Sequence, residues 1–271
     1  MAEFYLLGNS TYSQMFGCVI ITESKTIVID GGSQGDRDQL YSFLTEKSQG
    51  HVDAWFFTHA HHDHIGAFCE LCYKYPQVEV DKIYYDFPTF DKLKELGSRG
   101  DWEISLWNRT EELFSNRFDK SLFRVKKDDK FVFDDVEITV LRAFNKDITR
   151  NFVNNSSVVY RIDGKKSSIL ILGDLGEEGG DEVMASCKRE LLFADYTQMA
   201  HHGQRGVKKE FYEYIMPKKC IWASPEWLWN NDKGGGYDTG PWYTVRTREW
   251  VEALGVKEHI IEKDGIQKIK I

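Results

Sequence analysis

Short apolar runs rich in β-branched residues recur along the chain and predict its strands. Residues 16–22 and 26–30 are separated by a short polar turn and predict a β-hairpin. Residues 157–162 and 168–174 predict a second hairpin in the same way. The run at residues 52–57 is almost continuously apolar, which is typical of a strand buried on both faces. The pattern therefore predicts hairpins together with at least one central strand.

Longer segments, in which apolar residues recur every three or four positions, predict helices between these strands. The predicted helices are residues 38–49, 65–75, 102–118, 182–191, 207–214 and 245–254. Further strands are predicted at residues 82–85, 196–199 and 220–223, with two more after the last helix. Two β-rich halves, each with flanking helices, predict an α/β fold built as a four-layer αββα sandwich.

No feature of the sequence divides the chain into parts. Linkers of low complexity and blocks of like charge are absent, so residues 1–271 are predicted to form a single domain. The two halves also resemble each other faintly. Residues 26–31 and 168–174 each predict a strand that ends in an acidic residue next to glycine.

The segment 224–243 differs from the rest of the chain because it combines aromatic residues with a run of glycines at 234–236. Its aromatic residues are Trp227, Trp229, Tyr237, Trp242 and Tyr243. Long loops without regular structure are often lids or binding loops. The alternative is an aromatic cluster packed as a small additional core, and the sequence does not decide between them.

Composition and charge narrow the choice of partner and compartment. No apolar run approaches the roughly 18 residues of a membrane span, and the N-terminal residues do not resemble a secretory signal, so we expect a cytoplasmic protein without membrane association. The net charge of −8 disfavours nucleic acid as a partner. Five cysteines without framework spacing fit a reducing compartment, and Cys69 and Cys72 are predicted to be buried small hydrophobes. The oligomeric state is left open.

Histidines cluster strongly in the sequence. Residues 58–66 read Thr-His-Ala-His-His-Asp-His-Ile-Gly directly after the buried strand, and six of the eight histidines lie in this segment or in the pair at 201–202. Histidine is the most common transition-metal ligand. Side chains two apart on extended backbone point to the same side, so His59 and His61 are predicted to bind one ion. Asp63 and His64, displaced by a turn, are predicted to face a neighbouring ion.

Two further positions complete this prediction. Asp174, at a strand end, is the candidate for a carboxylate that bridges two cations, and His202 or His201 is the candidate for the last ligand. Two ions about 3.5 to 4 Å apart can clamp the oxygens of a hydrolysis and generate hydroxide near neutral pH. A purely structural zinc site is less well supported, because such sites are dominated by cysteine. Asp30 is either an acid that holds a ligand histidine or a residue of a turn.

Residues 58–66 resemble the HxHxDH signature of the metallo-β-lactamase superfamily. Three further segments resemble the branch that contains the hydrolase domain of a competence protein and the phosphorylcholine esterases of teichoic acid; they are residues 154–159, 172–174 and 200–203. The resemblance implies an αββα sandwich, a dinuclear site and hydrolysis of an ester, often a phosphodiester. It also implies that one ion is held by His59 and His61, that the other is held by Asp63, His64 and His202, and that Asp174 lies between them.

The sequence departs from this family pattern at two places. Asn154-Asn155 stands where many members carry a further ligand histidine, and Trp242-Tyr243-Thr244 stands where relatives often carry a histidine before the last helix. The ion at His59 and His61 is therefore either weakly held or completed by water or substrate.

These observations predict a metal-dependent hydrolase in which a metal-bridging hydroxide attacks a phosphoester or phosphodiester of a small molecule. Two divalent metal ions are expected, with zinc first and manganese or iron as alternatives. Asp63 and Asp174 are the predicted catalytic carboxylates, and the predicted substrate contacts are His201, Asn155 and Trp242. The alternatives are a lactonase or thioesterase acting on carboxylic esters, and a non-catalytic metal-binding module of the same fold.

Overall fold

The computed structural model describes all residues from 1 to 271. Its strands are β1 (Glu3–Leu6), β2 (Gly17–Ile21), β3 (Thr26–Asp30), β4 (His51–Val52), β5 (Ala54–Phe56), β6 (Glu79–Val80), β7 (Ile83–Tyr85), β8 (Leu122–Arg124), β9 (Lys130–Phe133), β10 (Val136–Arg142), β11 (Val159–Asp163), β12 (Ser168–Ile171), β13 (Tyr196–Gln198), β14 (Lys219–Trp222), β15 (His259–Ile261) and β16 (Gln267–Lys270). Its helices are α1 (Arg37–Ser48), α2 (His62–Lys74), α3 (Phe90–Leu96), α4 (Asp101–Asn116), α5 (Glu177–Ser186), α6 (Arg189–Leu192), α7 (Lys209–Ile215), α8 (Glu226–Trp229) and α9 (Thr244–Ala253).

Two seven-stranded sheets form the centre of the molecule. The first has the order β16-β1-β2-β3-β5-β7-β8, and the second has the order β15-β14-β13-β12-β11-β10-β9. Strands β3 and β12, the two that end next to an acid and a glycine, occupy the middle position of their sheets. Each sheet combines antiparallel hairpins with parallel strands that follow helices. The sequence similarity between the halves thus corresponds to equivalent places in the fold.

The sheets pack face to face around a shared apolar core. Ile27, Ile29 and Phe56 contribute to it from the first sheet, and Ile171 and Ile221 contribute from the second. All five side chains are fully buried. Burial of one side chain of this size stabilises the folded state by about 1.5–3 kcal/mol. This core joins the two halves into one unit.

Each sheet has a second apolar face, covered by helices. Val28 and Trp55 alternate with the inward-facing residues of β3 and β5 and pack instead with Leu40 of α1 and Phe68 of α2. A third cluster lies between the second sheet and helices α5, α7 and α9. The order helix, sheet, sheet, helix confirms the predicted four-layer αββα sandwich.

The structure corrects several predicted elements. Helix α2 begins at His62 rather than at residue 65, so the first turn contains part of the histidine cluster. The helix predicted at 182–191 is two helices, because Cys187 is extended (φ −100°, ψ 144°) and its Sγ donates to the Leu141 carbonyl oxygen. Helix α5 begins earlier than predicted because Gly179 and Gly180 allow close packing there. Strands β1, β8, β9 and β10 are absent from the sequence-based prediction.

Aromatic side chains of the segment 224–243 pack against other aromatic rings, as the aromatic-cluster interpretation expects, and a role as a lid or binding loop stays a prediction. Trp229 belongs to a buried group, since its ring lies 5.2 Å from Trp222 and the Arg248 guanidinium lies 4.0 Å from it. Trp227 and Trp242 pair at 4.7 Å nearer the surface. Cys69 and Cys72 are buried free thiols of α2, as predicted. None of the helices combines the length and apolar character that a bilayer crossing requires.

Candidate metal centre

The clustered histidines and carboxylates lie at the carboxyl ends of central strands, where the two sheets meet. His59 and His61 follow β5, and the first turn of α2 adds Asp63 and His64. Asp174 follows β12 of the second sheet. His202 follows the neighbouring strand β13, so two sheets and three chain segments supply one site.

A tight turn after β12 brings Asp174 against the first sheet. Gly173 has φ +56°, and a Cβ there would lie 2.9 Å from both Ser157 Oγ and Thr58 Cβ. Glycine is required at this place because any side chain would push the sheets apart. The Asp174 backbone N–H donates to Ser157 Oγ at 3.0 Å, which holds the main chain at Asp174 in place.

A strained turn after β13 positions the histidine pair. His201 and His202 have φ values of 52° and 57°, in the left-handed region. Such conformations cost about 1–3 kcal/mol each in residues other than glycine and persist only where the surroundings impose them. Here the Ala223 carbonyl oxygen accepts a hydrogen bond from His202 Nδ1 at 2.7 Å, which leaves Nε2 directed toward the carboxylates.

Four side chains form a first set, the four-donor group, which consists of Asp63, His64, Asp174 and His202. His202 Nε2 lies 3.4 Å from both Asp63 Oδ2 and Asp174 Oδ2. His64 Nε2 lies 3.1 Å from Asp174 Oδ1. All four side chains are buried, so their donor atoms face one another in a small polar space at the sheet ends.

A second set, the three-donor group, consists of His59, His61 and Asp174. His59 Nε2 lies 3.0 Å from His61 Nδ1 and 3.6 Å from Asp174 Oδ2. Asp174 therefore belongs to both groups and joins them. The structure brings together all six residues that the sequence predicted as metal ligands.

Several donor atoms of the four-donor group are buried without a hydrogen-bond partner. They are Asp63 Oδ1, His64 Nε2, Asp174 Oδ1 and His202 Nε2. An unpaired buried polar atom is costly, and here four converge on one place. Neutral imidazole nitrogen and carboxylate oxygen together suit divalent ions such as zinc, manganese or iron. The donor set therefore fits a divalent metal ion in this group, and the shared carboxylate extends the site to the three-donor group.

Other side chains hold the donors in place. Asp30 Oδ2 accepts a hydrogen bond from His64 Nδ1 at 2.7 Å, and both oxygens of Asp30 also accept hydrogen bonds from Thr58. Asp30 thus holds a predicted ligand histidine, which decides between the two interpretations of its sequence position. Gln14 Nε2 donates to Asp63 Oδ2 at 2.8 Å, and Gln204 Nε2 donates to Gln14 Oε1 at 2.6 Å.

The charges of the cluster reinforce this arrangement. Burial would raise the pKa of Asp174, but the imidazoles of His202, His64 and His59 hold it well below its usual range. Burial would lower the pKa of His64, yet Asp174 and Asp30 raise it to about 10. Burial lowers the pKa of His61, and the nearby Arg99 charge lowers it further. The carboxylates are thus anionic, and the centre of the cluster favours positive charge.

The three predicted substrate contacts lie at different distances from this centre. His201 Nε2 is 4.0 Å from Asp174 Oδ2, so His201 borders the cluster. The ring of Trp242 packs against Trp227 and makes no hydrogen bond or ring contact with the six donors. The side-chain amide of Asn155 makes four hydrogen bonds within the protein. In this structure the side-chain amide of Asn155 is thus fully used within the protein, and its role as a substrate contact stays a prediction.

Sequence reasoning missed three residues near the donors: Gln14, Gln204 and Arg99. Gln14 is 49 positions from the aspartate it contacts and 190 from Gln204, so no local pattern connects them. Arg99 lies on the loop between α3 and α4, and its Nη2 is 3.4 Å from His61 Nδ1. An unpaired arginine in a glycine-flanked loop is a weak signal in a sequence, because most surface arginines are solvated.

The fold and its donor set define a metal-binding α/β protein of the hydrolase type. The chain belongs to the metallo-beta-lactamase superfamily, whose family model matches residues 18–218. ComE operon protein 3 of Bacillus subtilis (strain 168) is 29% identical over 186 residues, which are 67% of this chain and 21% of that protein. The chain thus spans about a fifth of the length of this curated relative.

Solved structures agree on the fold. The metallo-beta-lactamase fold protein YhfI from Bacillus subtilis matches with a TM-score of 0.58 and 12% identity, covering 100% of both chains. A diphosphatase from the PhnP family matches with a TM-score of 0.50 and 12% identity, covering 100% of this chain and 98% of its own. At this level of identity the similarity establishes the architecture of the chain.

Proposed function

We propose that this protein is a dinuclear metal-dependent hydrolase that cleaves phosphoesters or phosphodiesters of small molecules. The observation that carries the proposal is the pair of donor groups joined by Asp174. In this assignment His59 and His61 hold one ion. Asp63, His64 and His202 hold the neighbouring ion, and Asp174 is shared. Zinc is the proposed metal, and manganese or iron suits the same donors.

Two bound ions would supply an activated water near neutral pH and would stabilise the charge that develops on the substrate. The protein itself supplies geometry. Asp174 sets the spacing of the two groups, and Ser157 holds the main chain at Asp174 in place. Asp30 and the Ala223 carbonyl oxygen keep the Nε2 atoms of His64 and His202 free for metal binding. No serine or cysteine nucleophile is required.

Two considerations favour a phosphoester over a carboxylic ester. The fold accommodates phosphorus chemistry, since a diphosphatase of the PhnP family shares it. The mouth of the three-donor group also carries the cationic Arg99, which suits an anionic substrate. A lactonase or thioesterase remains the alternative within the same fold, because the same activated water can attack a carbonyl.

One observation favours a non-catalytic metal-binding module as a second candidate. The second donor group has three members, and the chain carries Asn154-Asn155 at the place where the family resemblance implies a further ligand histidine. We expect the ion of the three-donor group to be held less firmly than its neighbour, because it has one protein donor fewer. If only the four-donor group bound metal, the protein would hold one ion and would lack the second ion that the proposed two-metal hydrolysis requires.

Metal analysis and hydrolysis of chromogenic esters test the proposal together. The purified protein, supplied with zinc or manganese, is expected to bind two ions per chain and to hydrolyse bis(p-nitrophenyl) phosphate. The isosteric variant Asp174→Asn is expected to lose this activity. Asp181→Asn, which alters an exposed carboxylate paired with Lys208, is the matched control and is expected to retain it.

The outcomes separate the candidates. Cleavage of p-nitrophenyl acetate or a lactone without any phosphoester cleavage would favour the carboxylic ester alternative. A chain that binds metal tightly and cleaves none of these esters would favour the non-catalytic module. Its residence in the cytoplasm and its small-molecule substrate stay predictions until location and substrate are measured directly.

A further inference from the structure

An arginine stands at the mouth of the three-donor group without an acidic partner. Arg99 Nη2 lies 3.4 Å from His61 Nδ1, the same nitrogen that faces His59 Nε2. The side chain forms no ion pair with any carboxylate of the protein, and the residue is exposed on one side. With a divalent ion in the three-donor group, the Arg99 guanidinium would stand beside a second positive charge, and an anionic ligand between the two would be stabilised.

The loop that carries Arg99 is held in place from two sides. The Arg99 backbone N–H donates to Glu103 Oε2 at 2.9 Å, and Glu103 is buried in the first turn of α4. Gly97 lies against Val153, where an added Cβ would come within 2.3 Å of Val153 Cγ2. The loop is therefore packed both on α4 and on the segment before Asn154, so the position of Arg99 follows from the fold.

We propose that Arg99 is a specificity-determining residue that binds the anionic oxygens of the substrate beside the three-donor group. This inference rests on the proposed function and specifies the class of substrate that Arg99 selects. A guanidinium presents parallel N–H donors that match two oxygens of one phosphate group. A phosphate bound between Arg99 and the ion at His59 and His61 would neutralise both positive charges, whereas an uncharged carboxylic ester would not.

The exposed Trp102 supplies the neighbouring wall of this mouth. Its ring meets the His62 ring edge to face, with the centroids 4.7 Å apart, and it is 49% exposed. Arg99 lies on the loop before α4 and Trp102 lies in the first turn of α4, so a cation and an exposed aromatic side chain are three positions apart in the chain. The proposed substrate is accordingly a phosphomonoester or phosphodiester with an apolar or aromatic substituent on the phosphate.

Binding of inorganic phosphate tests this role without turnover. Calorimetric titration of the metal-loaded protein with phosphate is expected to give saturable binding that weakens about tenfold or more in Arg99→Gln, the usual scale for a charge-assisted hydrogen bond. Arg99→Lys is expected to recover part of the loss. Arg189→Gln removes the same charge from an arginine of α6 that also has no carboxylate partner, and is expected to match the unaltered protein.

Kinetics give the second measurement. In Arg99→Gln, KM for bis(p-nitrophenyl) phosphate is expected to rise about tenfold, by the same scale of interaction, while cleavage of the uncharged p-nitrophenyl acetate and the metal content are unchanged. Phosphate binding that is absent from the metal-loaded protein, or that stays within about twofold in Arg99→Gln, would overturn the inference. Phosphate binding that depends on Arg99 in a protein that hydrolyses no ester would uphold it and refute the proposed hydrolase function.

Discussion

The two donor groups share Asp174 but differ in how their other members are supported. In the four-donor group, a hydrogen bond from outside the group holds His64 through Asp30, His202 through the Ala223 carbonyl oxygen, and Asp63 through Gln14. In the three-donor group, His59 Nδ1 meets only the Thr58 hydroxyl at 3.1 Å.

His61 of the three-donor group has Arg99 as its outside neighbour, and Arg99 approaches the same His61 nitrogen, Nδ1, that faces His59. Partners that orient ligands typically change metal affinity or activity by about 10–100-fold. The four-donor group is thus the more rigid of the two sites, and the three-donor group is the more adaptable one. We infer that the substrate completes the metal coordination at the adaptable site and that Arg99 binds the anionic oxygens of the substrate there.

Loss of the shared carboxylate is expected to have the largest effect, because it is the one change that damages both groups. Asp174→Asn should lower ester hydrolysis by more than about a hundredfold, the upper range for substitutions that act on a metal site indirectly. Metal content should fall below two ions per chain by mass spectrometry of the native protein. If Asp174→Asn retained two ions and full activity, the carboxylate would not join the groups.

Removal of one ligand from each group is expected to separate them. His61→Ala should leave one tightly bound ion, whereas His64→Ala should weaken the firmer site. Treatment of the unaltered protein with increasing chelator should give a plateau at one ion per chain, because the three-donor ion leaves first. Loss of both ions in a single step, or retention of two ions in His61→Ala, would contradict the expected difference in metal affinity between the two groups.

Substitution of Asp30 tests whether the support of the four-donor group matters in itself. Asp30→Asn keeps the size of the side chain but removes the carboxylate that accepts the hydrogen bond from His64 Nδ1 and orients the ring, so metal affinity at this group is expected to fall about 10–100-fold. Asp38→Asn, an exposed carboxylate of α1, is the control. Thermal unfolding of both variants distinguishes a loss of metal affinity from a loss of folding. Unchanged metal affinity in Asp30→Asn would show that this hydrogen-bond support does not strengthen the four-donor group.

The sequence predicted the members of these groups unequally well, for a physical reason. His59, His61, Asp63 and His64 lie within six consecutive positions, so chain geometry alone places them together. The prediction of Asp174 and of the pair 201–202 depended on recognising strand ends, because the carboxyl ends of central strands meet at one edge of a sheet.

The start of α2 and the supporting residues could not be predicted in this way. The helix begins at His62 because His61 is extended and Asp63 lies in the first turn, where a carboxylate is favourable. Gln14, Gln204 and Arg99 reach the site only through contacts between distant segments. Asn155 was predicted as a substrate contact from its neighbourhood in sequence, but its amide is used to bind the start of α5.

The smallest expected effect concerns the outermost support of the four-donor group. Gln204 contacts Asp63 only through Gln14, so Gln204→Ala should lower metal affinity by about threefold, while Gln14→Ala should lower it by about tenfold, the low end of the range for indirect support. The double variant should lose no more than Gln14→Ala alone, because the two residues act in series. Gln77→Ala, at an exposed amide that donates to Tyr41, is the control. Losses that simply add in the double variant would mean that Gln204 acts independently of Gln14, and the support of Asp63 would then need another explanation.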